Sequence, residues 1–262
     1  MEFLRAFRRR SFLSNSIYVL LNLLLATALF FLVITLESPV PAFLLVVLSK
    51  WRVLAVRPRY WLSNIQANLV DFTVSLGFVT LLYSLNQPSQ EAAPLQIALT
   101  VLYAAWLIIL KPKSTKRSIV SQASVALFIG ITALFSIAHI WPASVVTLVT
   151  ALIGYVTARH VLAQYDEDQL QLLSLMWALV VAEIGWIGYH WTIAYTIPGI
   201  NLAIPQVAII VMCLALIAYK IYDSYASHKR VRASDVLVPT LFSVSVIVVL
   251  LVLFNYVKTG II

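Results

Sequence analysis

Apolar runs of about twenty residues recur along this chain, and they constrain its fold more than any other feature. A helix needs about 20 mostly apolar residues to cross a bilayer. Nine candidate spans come close to that length or exceed it: 17–36, 41–57, 64–85, 94–110, 118–139, 143–163, 172–196, 203–221 and 235–257. Turn signals separate them, among them Ser38-Pro39-Val40-Pro41, Asn86-Gln87-Pro88-Ser89, Lys111-Pro112-Lys113-Ser114, Trp141-Pro142 and Pro198-Gly199. Lipid offers no partner to a free N–H or C=O, so runs of this kind predict helices. Charged residues are 11% of the 262, against about 25% in a soluble domain. The predicted fold class is therefore an all-α polytopic membrane helical bundle with nine transmembrane helices.

The net charge of +8 is explained by where the basic residues stand. With the N-terminus in the cytoplasm and alternating spans, all but Lys258 of the 18 lysines and arginines fall in cytoplasmic loops or helix ends. That is the positive-inside pattern, and it predicts N-in, C-out. The basic total needs no nucleic acid as partner; the lipid bilayer is the partner implied. Trp61, Trp141 and Trp191 fall near the predicted interfaces, as aromatic belts do. Residues 1–16 read as a cytoplasmic basic segment and 17–262 as the transmembrane domain. The run after Arg8, Arg9 and Arg10 is too long for a signal-peptide core and no A-x-A-like site follows, so it reads as an uncleaved first span. "FLRAFRRRSFL" (3–13) suits either an interfacial helix on anionic lipid or a solvated tail.

Polar residues inside the spans carry the functional question. Lys50 and Asp71 lie at about equal distance from the turn at Tyr60, roughly 10–15 Å at 1.5 Å per residue. An antiparallel hairpin would bring Lys50, Arg52 and Asp71 to similar depth. Asn64, Asn68, Asp71 and Ser75 recur at helical spacing and share one face. Facing lipid, a charge there costs about 2.5–3.5 kcal/mol on insertion scales, so the stripe is expected to face protein or water. It reads as a buried lock, as a polar cavity for a ligand, head group or proton, or as a contact with a partner subunit. Glu183 stands well inside span seven, with Trp186 and His190 on the same face. It is expected to face inward as a neutral hydrogen-bonded acid, a counter-ion of Lys50 or Arg52, or a proton carrier. The expected cluster is Lys50, Arg52, Asn68, Asp71, Glu183 and His190.

Other patterns exclude chemistry. His139, His160, His190 and His228 stand at two depths without a metal-ligand spacing, so no metal site is expected. There is no P-loop, no G-x-G-x-x-G, no G-x-S-x-G and no cysteine–histidine pairing, so no cofactor or catalytic residue is assigned. Asp166, Glu167 and Asp168 read as capping and dipole compensation for span seven, and Asp235 as the same for span nine. No G-x-x-x-G pair occurs to set a close helix crossing.

The segments "LSKWRVLAVRPRYWLSNIQANLVD" and "EIGWIGYHWTIAY" resemble multi-pass membrane proteins of unassigned function from Patescibacteria of the Saccharibacteria type. The resemblance covers about a seventh of the chain. It implies a single plasma membrane and carries over no residue roles.

The leading expectation is a non-enzymatic plasma-membrane protein that binds or moves a small or lipid-like ligand through the polar cluster. The alternative is a structural or assembly subunit of a membrane complex, docked on protein partners. An intramembrane enzyme ranks third.

Overall fold

The structure is a computed structural model that describes residues 2–53, 55–86, 92–165, 167–197 and 200–254. Among the described residues nine α-helices follow one another: α1 Glu2–Leu36, α2 Val40–Ser49, α3 Trp61–Ser84, α4 Ala92–Ala105, α5 Lys116–Ser136, α6 Ala143–Leu162, α7 Leu170–His190, α8 Gln206–His228 and α9 Ala233–Val252. Among the described residues, eight helical segments are long and apolar enough to cross a membrane. The α1 helix runs unbroken through the basic segment. The side chains of Arg5, Arg8, Arg9 and Arg10 lie outside the described residues.

The second predicted span is the exception. Its helix stops after ten residues. Short 3-10 turns follow at Trp51–Val53 and Pro58–Tyr60. Pro58 accounts for part of the break, because a residue before proline is pushed out of the helical region, and Arg57 is extended at φ −57, ψ 139. Asn64 holds the loose segment by donating from Nδ2 to the Val53 carbonyl (3.1 Å). A β-hairpin, β1 Ala194–Ile197 and β2 Ile200–Pro205, interrupts the predicted end of span seven and start of span eight. The sequence reading ran helix through Ala194 to Thr196; the structure corrects this. Thr192, Tyr195 and Thr196 favour extended backbone once the apolar face of α7 ends.

Side-chain contacts show which helix ends lie together. Asn86 reaches the Val33 carbonyl (3.4 Å), joining the ends of α3 and α1. At the opposite end, Asp223 of α8 takes both Lys116 of α5 (2.8 Å) and Tyr165 after α6 (2.9 Å). Tyr222 donates to Glu167 just before α7. Glu167 also accepts from the Gln169 N–H (3.3 Å), and the Tyr222 hydroxyl holds its carboxyl below the usual range. Asp166 lies outside the described residues, as does Lys258. Asp235 sits in the first turn of α9 and accepts from Ser224 (2.8 Å).

Two cores share α5. One gathers Leu29, Val46, Val74, Phe78, Leu107 and Ala126 from α1 to α5. The other gathers Leu127, Ile131, Val146, Val181 and Val211 from α5 to α8. Single glycines set the close crossings that no G-x-x-x-G announces. Gly77 and Gly130 face Ile129 and Thr73 across α3 and α5, and Gly154 and Gly185 face Val181 and Thr150 across α6 and α7. A Cβ on Gly185 would stand 2.6 Å from Thr150 Cγ2 and 3.0 Å from its Cβ. Gly185→Ala is therefore expected to cost about 1–3 kcal/mol of overpacking, read as a lower melting temperature of the purified protein. An unchanged melting temperature would mean that α6 and α7 are free to separate.

Candidate functional site

The end of α2 delivers Lys50 into the bundle. Lys50 caps the C-terminal end of α2, with φ −99 and its N–H on the Val47 carbonyl (3.1 Å). That end of a helix favours a cation. Its ammonium group pairs with Asp71 Oδ2 and donates to Ser75 Oγ (3.2 Å). The same Oδ2 takes Lys111 Nζ at 2.8 Å, and Oδ1 takes Trp106 Nε1 at 3.4 Å. Ser75 donates to the Asp71 carbonyl (2.7 Å) and accepts from Tyr103 (2.9 Å). Tyr103 stacks on Phe78 at 4.2 Å. One carboxylate thus holds two cations. The side chains of Lys50 and Asp71 are 5% and 10% exposed, and that of Lys111 is 32% exposed.

A π-helical turn at Trp106–Leu110 extends α4 and aims these partners. Its bond runs from the Lys111 N–H to the Trp106 carbonyl (2.9 Å), the wider spacing that often marks a functional or strained position. Gln122 of α5 closes the turn. Its Nε2 donates to the carbonyls of Leu110 (2.7 Å) and Lys113 (2.8 Å), and its Oε1 meets His160 Nε2 of α6 (2.9 Å). A polar chain therefore runs from α6 through α5 to the end of α4 and on to Asp71.

The structure brings together only part of the predicted set. Lys50 and Asp71 meet. Asn68 does not join them; its Nδ2 donates within α3 to the Asn64 carbonyl (2.8 Å). The Arg52 side chain lies outside the described residues. Glu183 and His190 are corrected outright. Both are exposed on the outward face of α7 beside Trp186, so Glu183 does not balance Lys50. The reason is geometric: α7 turns Val181, Ala182, Gly185 and Gly188 to the core, and position 183 falls on the opposite side. His190 Nδ1 meets the Trp186 carbonyl (2.9 Å), and its ring packs on Trp186 at 4.4 Å.

Lys111, Ser75, Tyr103, Trp106, Gln122 and His160 were not assigned to the cluster from sequence. Ser75 was legible in the polar stripe. Lys111 was hidden as one basic loop residue among several, and only the π turn aims it inward.

Fold and cluster together define a multi-pass membrane protein, an all-α bundle with a buried ionic network at the end of the short helix α2. No protein-family model, curated protein or solved structure matches the chain.

Proposed function

We propose that this chain is a non-catalytic component of a membrane assembly, in which the Lys50–Asp71–Lys111 group is an internal lock. The carrying observation is the closure of the cluster. Asp71 takes three donors from its own chain, and Lys50 and Asp71 are almost fully buried. Such a lock has a clear task. Irregular backbone at membrane depth persists only where protein or a cavity satisfies it, and Lys50 pins the interrupted end of α2 to α3. The basic loops and the resemblance to Patescibacterial membrane proteins support an N-in, C-out chain in a bacterial plasma membrane.

One observation favours ligand binding as a second reading. Two ammonium groups against one carboxylate leave an excess positive charge, and Lys111 is partly open. A phosphate or carboxylate, from a lipid head group or a free anion, would balance it.

A single set of melting curves separates the readings. A ligand that binds only the folded state raises stability by RT ln(1 + [L]/Kd). The lock predicts no shift with inorganic phosphate or with short-chain phosphatidic acid beyond that of a zwitterionic lipid. It also predicts that Lys50→Met with Asp71→Leu folds at near-native stability, since buried ion pairs are often replaceable by apolar groups. A shift with either anion that vanishes in Lys111→Met, while Lys116→Met keeps it, would overturn the lock in favour of an anion site. Phosphate and phosphatidic acid would then tell the free anion from the head group.

A further inference from the structure

The outward face of α7 carries an acid that nothing among the described residues answers. Glu183 is exposed and has no hydrogen-bond or ion-pair partner among the described residues. Its neighbours on that face are apolar: Leu179 is 62% exposed and Trp186 53%. Seven residues separate Glu183 from the end of α7 at His190, about 10 Å of helix. The other end, at Leu170, is about 20 Å away. Side chains on a helix lean towards its N-terminus, so the Glu183 carboxyl leans away from the nearer end and deeper into the apolar layer. Trp186 and His190 pack together on the side where water would enter.

The same face has the form of a helix-packing seam. Leu172, Leu175, Leu179, Glu183, Trp186 and His190 recur at spacings of three and four, and all are exposed. Knobs at this spacing fit into a facing helix. An acid in an apolar seam is costly unless it is paired.

We propose that this seam of α7 docks a transmembrane helix of a different protein, one that carries a lysine or arginine at the depth of Glu183. This rests on the assembly-component reading and names the chemistry of its partner. Charge complementarity selects the occupant. A second copy related by a twofold axis along the membrane normal would set Glu183 against Glu183. Nor does this chain present a cation on α7, whose sequence has no lysine or arginine. A foreign helix with a basic residue supplies both the counter-charge and the apolar surface for Leu175, Leu179 and Trp186.

The test is a photo-crosslinker placed at Leu179 of the full chain in its native membrane. The adduct peptide is identified by mass spectrometry, alone and together with Glu183→Gln. The expected adduct is a membrane span containing lysine or arginine, and Glu183→Gln lowers its yield by about tenfold, the loss of about 1.4 kcal/mol of pairing. Melting of purified Glu183→Gln at the native temperature shows that the fold is intact. A Glu183→Gln chain that does not fold is replaced by Glu183→Asp, which shortens the acid and keeps its charge and is expected to retain the adduct. An adduct with a second copy, with lipid alone, or with a span lacking basic residues overturns the proposal. So does an adduct indifferent to Glu183→Gln. None of these outcomes touches the lock, whose test is the anion and Lys50/Asp71 series.

Discussion

Asp71→Asn is expected to lower the unfolding stability of the purified protein by about 3–5 kcal/mol. The substitution keeps the shape of the side chain and removes the charge that both lysines share. Lys50, 5% exposed, is left without a counter-charge. Breaking one partner of a buried pair costs far more than the pair itself contributes, because the surviving ion stays desolvated. Loss of a proton from Lys50 would relieve some of this, which places the expectation towards the lower end of the range. The control is Lys111→Met. Its side chain is 32% exposed, so water screens the pair and the expected loss is about 0–1 kcal/mol. Denaturant or thermal melts in one detergent check both. Equal effects of Asp71→Asn and Lys111→Met would show that the two lysines are equally solvated and that the cluster is open.

Gln122→Leu is the second large effect. Leucine fills similar space but offers no donor. The carbonyls of Leu110 and Lys113 lose their side-chain donor, and His160 loses the Gln122 oxygen. The Leu110 carbonyl keeps the Lys113 N–H (3.2 Å) and Lys113 is exposed, so the half-buried His160 ring carries most of the loss, about 1–3 kcal/mol. The effect should also travel. Lys111 follows the π turn that Gln122 closes, so loosening the turn frees Lys111 from Asp71. Gln122→Leu combined with Lys111→Met is then expected to cost less than the two separate losses added together. Strict additivity in that double-mutant cycle would show that the π turn does not position Lys111.

Much of the fold was legible because a bilayer imposes a length and a composition on whatever crosses it. The apolar runs marked eight of the nine helices among the described residues for this reason, with a boundary shifted where Tyr195 and Thr196 form a hairpin strand. The run at 41–57 misled, since its apolar length ends at Leu48 and the helix stops at Ser49. Similar depth for Lys50, Arg52 and Asp71 is what a helical hairpin about Tyr60 predicts, but α2 stops at Ser49 and 3-10 turns follow, so rise per residue is not what brings Lys50 to Asp71. Depth is only one coordinate, however. Glu183 also stood at a plausible depth, and rotation about α7 sent it outward. Which side of α7 is inner depends on Gly185 and Gly188 packing against Thr150 and Val207, contacts with residues distant along the chain.

What the sequence determined by itself was the class: an all-α bundle in a membrane, with a polar stripe on α3 that had to face protein or water. Those follow from the hydrocarbon layer, which acts on each helix separately. Only the tertiary structure decided which charges meet. Lys111 reaches Asp71 because a π turn re-aims it and Gln122 holds that turn from another helix. Glu183 misses the cluster because glycine contacts set the rotation of its helix. Both outcomes rest on interactions between helices far apart in the chain, and periodicity along one helix cannot express them.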